Sequence, residues 1–213
     1  MARKIIPLVT GESYHIYNRG VDKRSVFLDV SDYLRFYTSL LYFNSTEPTT
    51  NYIEARRFSK DLLDTDRLID LHAYCLLPNH FHLLLTQKKD DGISEYMKRI
   101  SGGFTSYFNE KYERSGSLFQ GRFKRSHLTD NEQLMHLSTY VNYNHEVHNI
   151  KTKDELYLSS KAIYSGKKEQ EFIKSDLILN QFSTRKEYVT QAVKYSKFIR
   201  NQRSEKDKYL FHE

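Results

Sequence analysis

The stretch Cys75-Leu76-Leu77-Pro78-Asn79-His80-Phe81-His82-Leu83-Leu84-Leu85 decides how this chain is read. Its two apolar runs are short enough to read as buried strands, and Pro78-Asn79 supplies the turn residues that join them into an antiparallel hairpin. Strand side chains alternate between faces, so His80 and His82 project to one side and Phe81 to the other. Two neutral imidazoles at that spacing can chelate one divalent ion. They can equally be two strand histidines hydrogen-bonded at the edge of a core. What else reaches their face settles the matter.

Working outward, Ile69–Leu77 is the strand entering the hairpin and His80–Thr86 the strand leaving it. Upstream, Ser13-Tyr14-His15-Ile16-Tyr17-Asn18-Arg19-Gly20 alternates as a first strand closed by glycine. Ser31-Asp32 opens a helix to about Phe43, with Tyr33, Phe36, Tyr37, Leu40 and Leu41 at helical spacing. Residues 44–68 are polar and irregular, with a short helix near Ile53–Leu63. Downstream, Ile93–Tyr112 carries the helical stripe Ile93, Tyr96, Ile100, Phe104, Tyr107 and Phe108. Gly102-Gly103 inside it weakens the helix or marks the close approach of another backbone. Leu118–Leu128 reads as a further strand, and Asp130-Asn131 caps a helix from about Glu132 to Asn144.

This order predicts an α+β fold, a ferredoxin-like antiparallel sheet with helices packed on it. Beyond residue 146 the chain turns lysine-rich, with amphipathic segments near 154–164, 170–181 and 184–199 and a charged tail, Arg200–Glu213. The expected organisation is a core domain over 1–148 followed by a helical C-terminal extension over 149–213.

Bulk composition narrows the function classes. Seventeen Tyr and 13 Phe in 213 residues supply a real core despite a hydrophobic share of 38%, because aromatic side chains bury large areas. One cysteine, Cys75, excludes an internal disulfide and fits a reducing compartment; inside a strand it reads as a buried, inert thiol. The opening MARKIIPLVT has no apolar run of signal-peptide length, and no segment approaches the roughly 20 apolar residues that cross a bilayer. A cytoplasmic protein without a membrane partner is expected. Lys and Arg exceed Asp and Glu by 33 to 27, an excess compatible with a polyanionic partner without demanding one.

A second constellation lies in the last core helix, Leu137-Ser138-Thr139-Tyr140-Val141-Asn142-Tyr143-Asn144-His145. Tyr140 and Asn144 are four residues apart and share a helical face. An amide oxygen can complete a divalent site begun by two imidazoles, which would set the phenol beside the ion. A free phenol titrates near pH 10 and attacks poorly at neutral pH; a nearby cation favours phenolate and polarises a phosphate. Such a His/Asn set suits Mn²⁺, or Mg²⁺ retaining waters. Tyr143, Tyr107 and Tyr112 compete for the nucleophile role, and His136, His145 and His148 for that of ligand. Tyr140 also reads as an ordinary core aromatic.

Taken together, these segments resemble a known family. Leu77-Pro78-Asn79-His80-Phe81-His82-Leu83-Leu84 looks like the His-hydrophobe-His motif of single-tyrosine HUH transposases of the IS200-like kind, in particular the branch of REP-associated tyrosine transposases. Tyr14-His15-Ile16-Tyr17-Asn18-Arg19-Gly20 resembles the family's opening strand, and Val26-Phe27-Leu28-Asp29 with Asp32-Tyr33 the entry to its first helix. Gly116-Ser117-Leu118-Phe119-Gln120-Gly121-Arg122-Phe123-Lys124 resembles its Gln- and Arg-bearing strand, and Tyr140-Val141-Asn142-Tyr143-Asn144 stands where the family has its tyrosine helix. Ser159-Ser160 and the segment from Asp176 to Phe182 resemble the extension of that branch, so the likeness covers about residues 10–195.

The resemblance implies the HUH nuclease fold, with His80, His82 and Asn144 as metal ligands and Tyr140 as nucleophile. The implied cofactor is Mg²⁺ or Mn²⁺. The implied activity is cleavage of single-stranded DNA through a 5′-phosphotyrosine, with later rejoining, at hairpin-forming repeats. The implied partner is single-stranded or hairpin DNA, handled by a monomer or homodimer. A departure is His145, where many members of the branch have proline; it opens an accessory role for that histidine. Arg19, Lys98, Arg99, Arg122, Lys124 and Arg125 flank the expected site as candidate phosphate contacts. Phe119 and Phe123 are either base-stacking platforms or core residues. The alternative function is a catalytically silent relative that binds structured DNA without cutting it.

Overall fold

The computed structural model describes residues 7–49, 51–58, 66–148, 150, 156–168 and 172–210. Its centre is the hairpin. Strand β2 (Ile69–Leu77) and strand β3 (His80–Gln87) pair antiparallel across the two-residue turn Pro78-Asn79, and β1 (Ser13–Arg19) pairs antiparallel with the other edge of β3. Two short strands close the flanks, β4 (Lys124–His127) against β1 and β5 (Leu158–Ser159) against β2, giving the order β4-β1-β3-β2-β5. The fold is α+β, with an antiparallel sheet and helices on both faces.

Strand alternation sends two different sets of side chains to those faces. Tyr14, Ile16, Leu76, Phe81, Leu83 and Leu85 meet helix α1 (Val30–Tyr42) and helix α3 (Gly92–Lys111) in one core. Helix α1 begins at a capping box: Asp29 accepts from the backbone N–H of Asp32, whose own carboxylate accepts from that of Asp29. The short α2 (Tyr52–Phe58) packs beside α1; the remainder of the helix expected near 53–63 lies outside the described residues. Helix α3 runs unbroken through Gly102-Gly103, and among the described residues no other backbone crowds either glycine, so neither of the two readings of this pair is seen.

On the other face Ala73, Cys75, Leu77 and Leu84 meet helix α4 (Asn131–Asn142), the single turn α5 (Asn144–Val147), α6 (Lys161–Tyr164), α7 (Asp176–Leu179) and the long α8 (Arg185–Leu210). The expected helix over 154–164 contains instead the edge strand β5 before α6, and the expected strand over Leu118–Leu128 shrinks to β4. The reason lies in its first half. Gly121 adopts a positive φ of 70°, and Leu118 and Phe119 dive into the α1/α3 core, so pairing with β1 is delayed until Lys124.

The hairpin tip is held from outside the sheet. The carbonyl of Pro78 accepts from the backbone N–H groups of Val26 and Phe27, and that of Asn79 from Gly20. Any side chain at Gly20 would strike the carbonyl of Arg24 at 2.3 Å; glycine alone lets this loop close over the tip.

A candidate metal and nucleophile site

The α4 face of the sheet gathers most of the predicted site residues. Register sets Arg19 opposite His80, and Tyr17 opposite His82, so these side chains and His15 share one side. Tyr140 reaches them from α4: its ring lies edge-on to His82 at 5.5 Å and to His15 at 6.2 Å between centroids. Two helical turns further on, the His148 ring stands 5.0 Å from that of His80. The helix breaks for one residue at Tyr143 and resumes, with His148 N–H donating to the carbonyl of Asn144. Tyr140, Asn144 and His148 therefore form one row whose two ends touch the two histidines, with Asn144 between them.

Two asparagines in this segment differ sharply. Both Asn142 and Asn144 are fully buried. Asn142 is saturated on both sides, donating to the hydroxyl of Tyr188 (2.7 Å) and accepting from that of Ser160. Among the described residues, Asn144 has no hydrogen-bond partner on either amide atom. A buried amide with nothing to bind costs about 1–3 kcal/mol, so its environment is unfinished.

The histidines are already oriented from behind. His80 donates its Nδ1–H to the side-chain oxygen of Asn79 at 2.6 Å, and Nδ1 of His82 lies 2.8 Å from Nε2 of His15. Both Nδ1 atoms are hydrogen-bonded, the arrangement in which a histidine binds a metal through Nε2. Burial depresses His15 to about 4, so that ring is neutral at physiological pH. Among the described residues no group of three or more His, Cys, Asp or Glu is disposed to hold a metal. Two imidazole nitrogens and the orphaned Asn144 oxygen are a donor set that fits Mn²⁺, or Mg²⁺ carrying waters. Cys75, beside His82 on β2, is buried and its thiol pushed up to about 12 by desolvation; it stays protonated and inert.

Competing residues point elsewhere. Tyr107 and Tyr112 donate to the carboxylate of Asp32 on the opposite side of the sheet. Tyr143 is packed in the α4/α8 core, with Lys161 over its ring. His136 is exposed against Tyr195. His145 turns away from the histidine pair and stacks on Tyr157 at 4.0 Å, so the accessory role suggested by its replacing a proline has no geometric support. His148 does reach the site.

The basic residues divide. Arg19 and Lys124 stand on the histidine face, Lys124 opposite Tyr17. Arg125 pairs with Ile16 and faces the other way. Lys98 and Arg99 belong to α3, across the sheet: Lys98 joins Arg122, Phe123 and Gly102 around a separate groove of about 440 Å³. Arg99 is consumed internally by Glu95 and the carbonyls of Ser45 and Glu47. Phe119 meets Phe81 and Phe104 in the core, and the half-buried Phe123 packs against the same cluster while lining that groove. Sequence reading gave no site role to His15. Its signal was available in hindsight, since β1 alternation puts Tyr17 and His15 on one face, but only the strand pairing puts that face beside His82.

Residues 50–144, a span that includes His80, His82, Tyr140 and Asn144, match the model of the family described as transposase IS200-like. No curated protein matches the chain. Among solved structures, that of a REP-associated tyrosine transposase bound to a REP hairpin superimposes with a TM-score of 0.56. It covers 79% of this chain and 89% of its own, at 17% identity, and so shares the fold. Over residues 50–144 this chain is thus similar to the IS200-like transposase family.

Proposed function

We propose that the chain is a metal-dependent enzyme that nicks and rejoins single-stranded DNA through Tyr140, acting at hairpin-forming repeats. The observation that carries the reading is the approach of Tyr140 to His82, which adjoins His80, with Asn144 one helical turn beyond Tyr140, while the rival tyrosines Tyr107 and Tyr112 are bound elsewhere.

His80, His82 and Asn144 would hold the divalent ion, which when bound supplies Lewis-acid stabilisation of a phosphate and favours the phenolate. Tyr140 attacks phosphorus; its O–P bond forms as the bond to the 3′ oxygen breaks, leaving a 5′-phosphotyrosine and, after protonation, a free 3′-OH. The reverse attack by a 3′-OH releases the phenol and restores a phosphodiester. One bond is exchanged for a similar one, so no nucleotide hydrolysis is needed. Arg19 and Lys124, on the same face, are placed to neutralise neighbouring phosphates. The hairpin preference draws support from the hairpin-bound relative of the same fold.

Incubation with end-labelled single-stranded hairpin DNA and Mn²⁺, followed by denaturing electrophoresis, tests this. The wild-type chain should give a covalent protein–DNA band that disappears in Tyr140→Phe while hairpin binding persists. Binding without a band in either protein would favour the silent-binder reading, and a band surviving in Tyr140→Phe would move the nucleophile elsewhere.

A further inference from the structure

His15 is buried to 6% exposure, yet its only role so far is to touch His82. Its Nε2 is 2.8 Å from Nδ1 of His82, the two rings are within 14° of parallel at 5.0 Å, and Tyr17 stacks against both, 4.9 Å from His15 and 5.8 Å from His82. The ring is held in one orientation by its hydrogen bond to His82 and its stacking on Tyr17. A hydrogen bond between two imidazole nitrogens has a choice that a carboxylate or carbonyl partner does not offer. Either His82 donates from Nδ1, which leaves its Nε2 lone pair for a cation, or His15 donates from Nε2, which moves the His82 proton onto Nε2 and closes the ligand position. The other histidine has no such choice, because the partner of His80 is an amide oxygen that can only accept.

We propose that His15 is a positioning residue of the metal site, accepting the Nδ1 proton of His82 and so holding that ligand in its metal-binding tautomer. The inference rests on the metal-dependent reading above and adds a residue to it. Outer partners of this kind contribute tenfold to hundredfold in metal affinity.

The test is Mn²⁺ binding to the metal-free protein, followed by loss of the free-ion electron paramagnetic resonance signal, with no DNA present. His15→Phe keeps an aromatic ring in the stack but removes the acceptor, and should bind Mn²⁺ ten- to a hundredfold more weakly. His15→Gln offers an amide oxygen at similar reach and should restore most of the affinity. Long-range ¹H–¹⁵N spectra of the metal-free wild type should show His82 protonated on Nδ1, and His15→Phe should show a mixture. A folded His15→Phe that binds Mn²⁺ as tightly as wild type overturns the inference while leaving the metal site standing, as does a wild-type His82 protonated on Nε2. A wild type that binds no Mn²⁺ overturns the metal-dependent reading, and His15's role with it.

Discussion

The two faces of one strand make the sharpest comparison in this molecule. Phe81 and Leu83 of β3 enter the α1/α3 core, where Phe81 meets Phe36 at 5.0 Å and Phe119 at 5.6 Å between ring centroids. One residue away in either direction, His80 and His82 enter a face where imidazoles and a phenol converge, with the buried amide of Asn144 one helical turn beyond that phenol. The first face is satisfied, the second incomplete. They are nevertheless coupled, because a one-residue slip of β3 would exchange every side chain between them. The aromatic side thereby fixes where the histidines stand.

Substitutions on neighbouring residues of β3 should break this comparison most visibly. Phe81→Ala empties a fully buried ring site and should cost about 3–5 kcal/mol of stability in urea unfolding. His82→Ala, one residue on, should cost less than half as much in the metal-free protein, yet weaken Mn²⁺ binding at least tenfold. Equal destabilisation by both would mean that the histidine face is merely a second core.

Acid should act on the polar side. Burial holds His15 and His145 down to about 4, and holds His72 below its usual range as well. Unfolded imidazoles titrate near 6.5, so below that pH the unfolded chain binds protons that the folded chain refuses. Stability of the metal-free protein should therefore fall as pH drops from 6.5 towards 4, by up to about 3 kcal/mol for each of the first two histidines. A flat profile across that window, read by denaturant midpoints, would mean these rings admit protons in place.

The asparagine pair sharpens the contrast at smaller scale. Asn142→Ala removes the partner of Tyr188 and Ser160 and should destabilise by about 1–3 kcal/mol. Asn144→Ala removes an amide with no hydrogen-bond partner among the described residues; it should leave metal-free stability unchanged or slightly raised while weakening Mn²⁺ binding. The smallest effects concern surface charge. Arg19→Ala and Lys124→Ala should each weaken hairpin binding and reduce its salt slope by about 1, whereas Lys98→Ala, across the sheet, should change neither. A reduced slope in Lys98→Ala would put DNA on both faces.

Legibility in the sequence followed the range of the interaction involved. The hairpin, the long helices and their caps were readable because periodicity, turn chemistry and capping are local. The strand expected over Leu118–Leu128 was overdrawn because its phenylalanines mimic alternation while serving a core formed by distant residues. Similarly, β5 is two residues long and exists only by pairing with β2; no local pattern announces it. For the basic residues, composition gave their abundance and said nothing of the face, so Lys98 and Arg99 could not be separated from Arg19 and Lys124.

By itself the sequence determined that His80 and His82 share a side of one strand and that Tyr140 and Asn144 share a side of one helix, because both follow from backbone periods of 2 and 3.6. Only the tertiary structure decided that these two sides face each other, that His15 stands behind His82 and that His145 points away. Those facts depend on strand order and helix packing, which are set by burial summed over residues far apart in the chain.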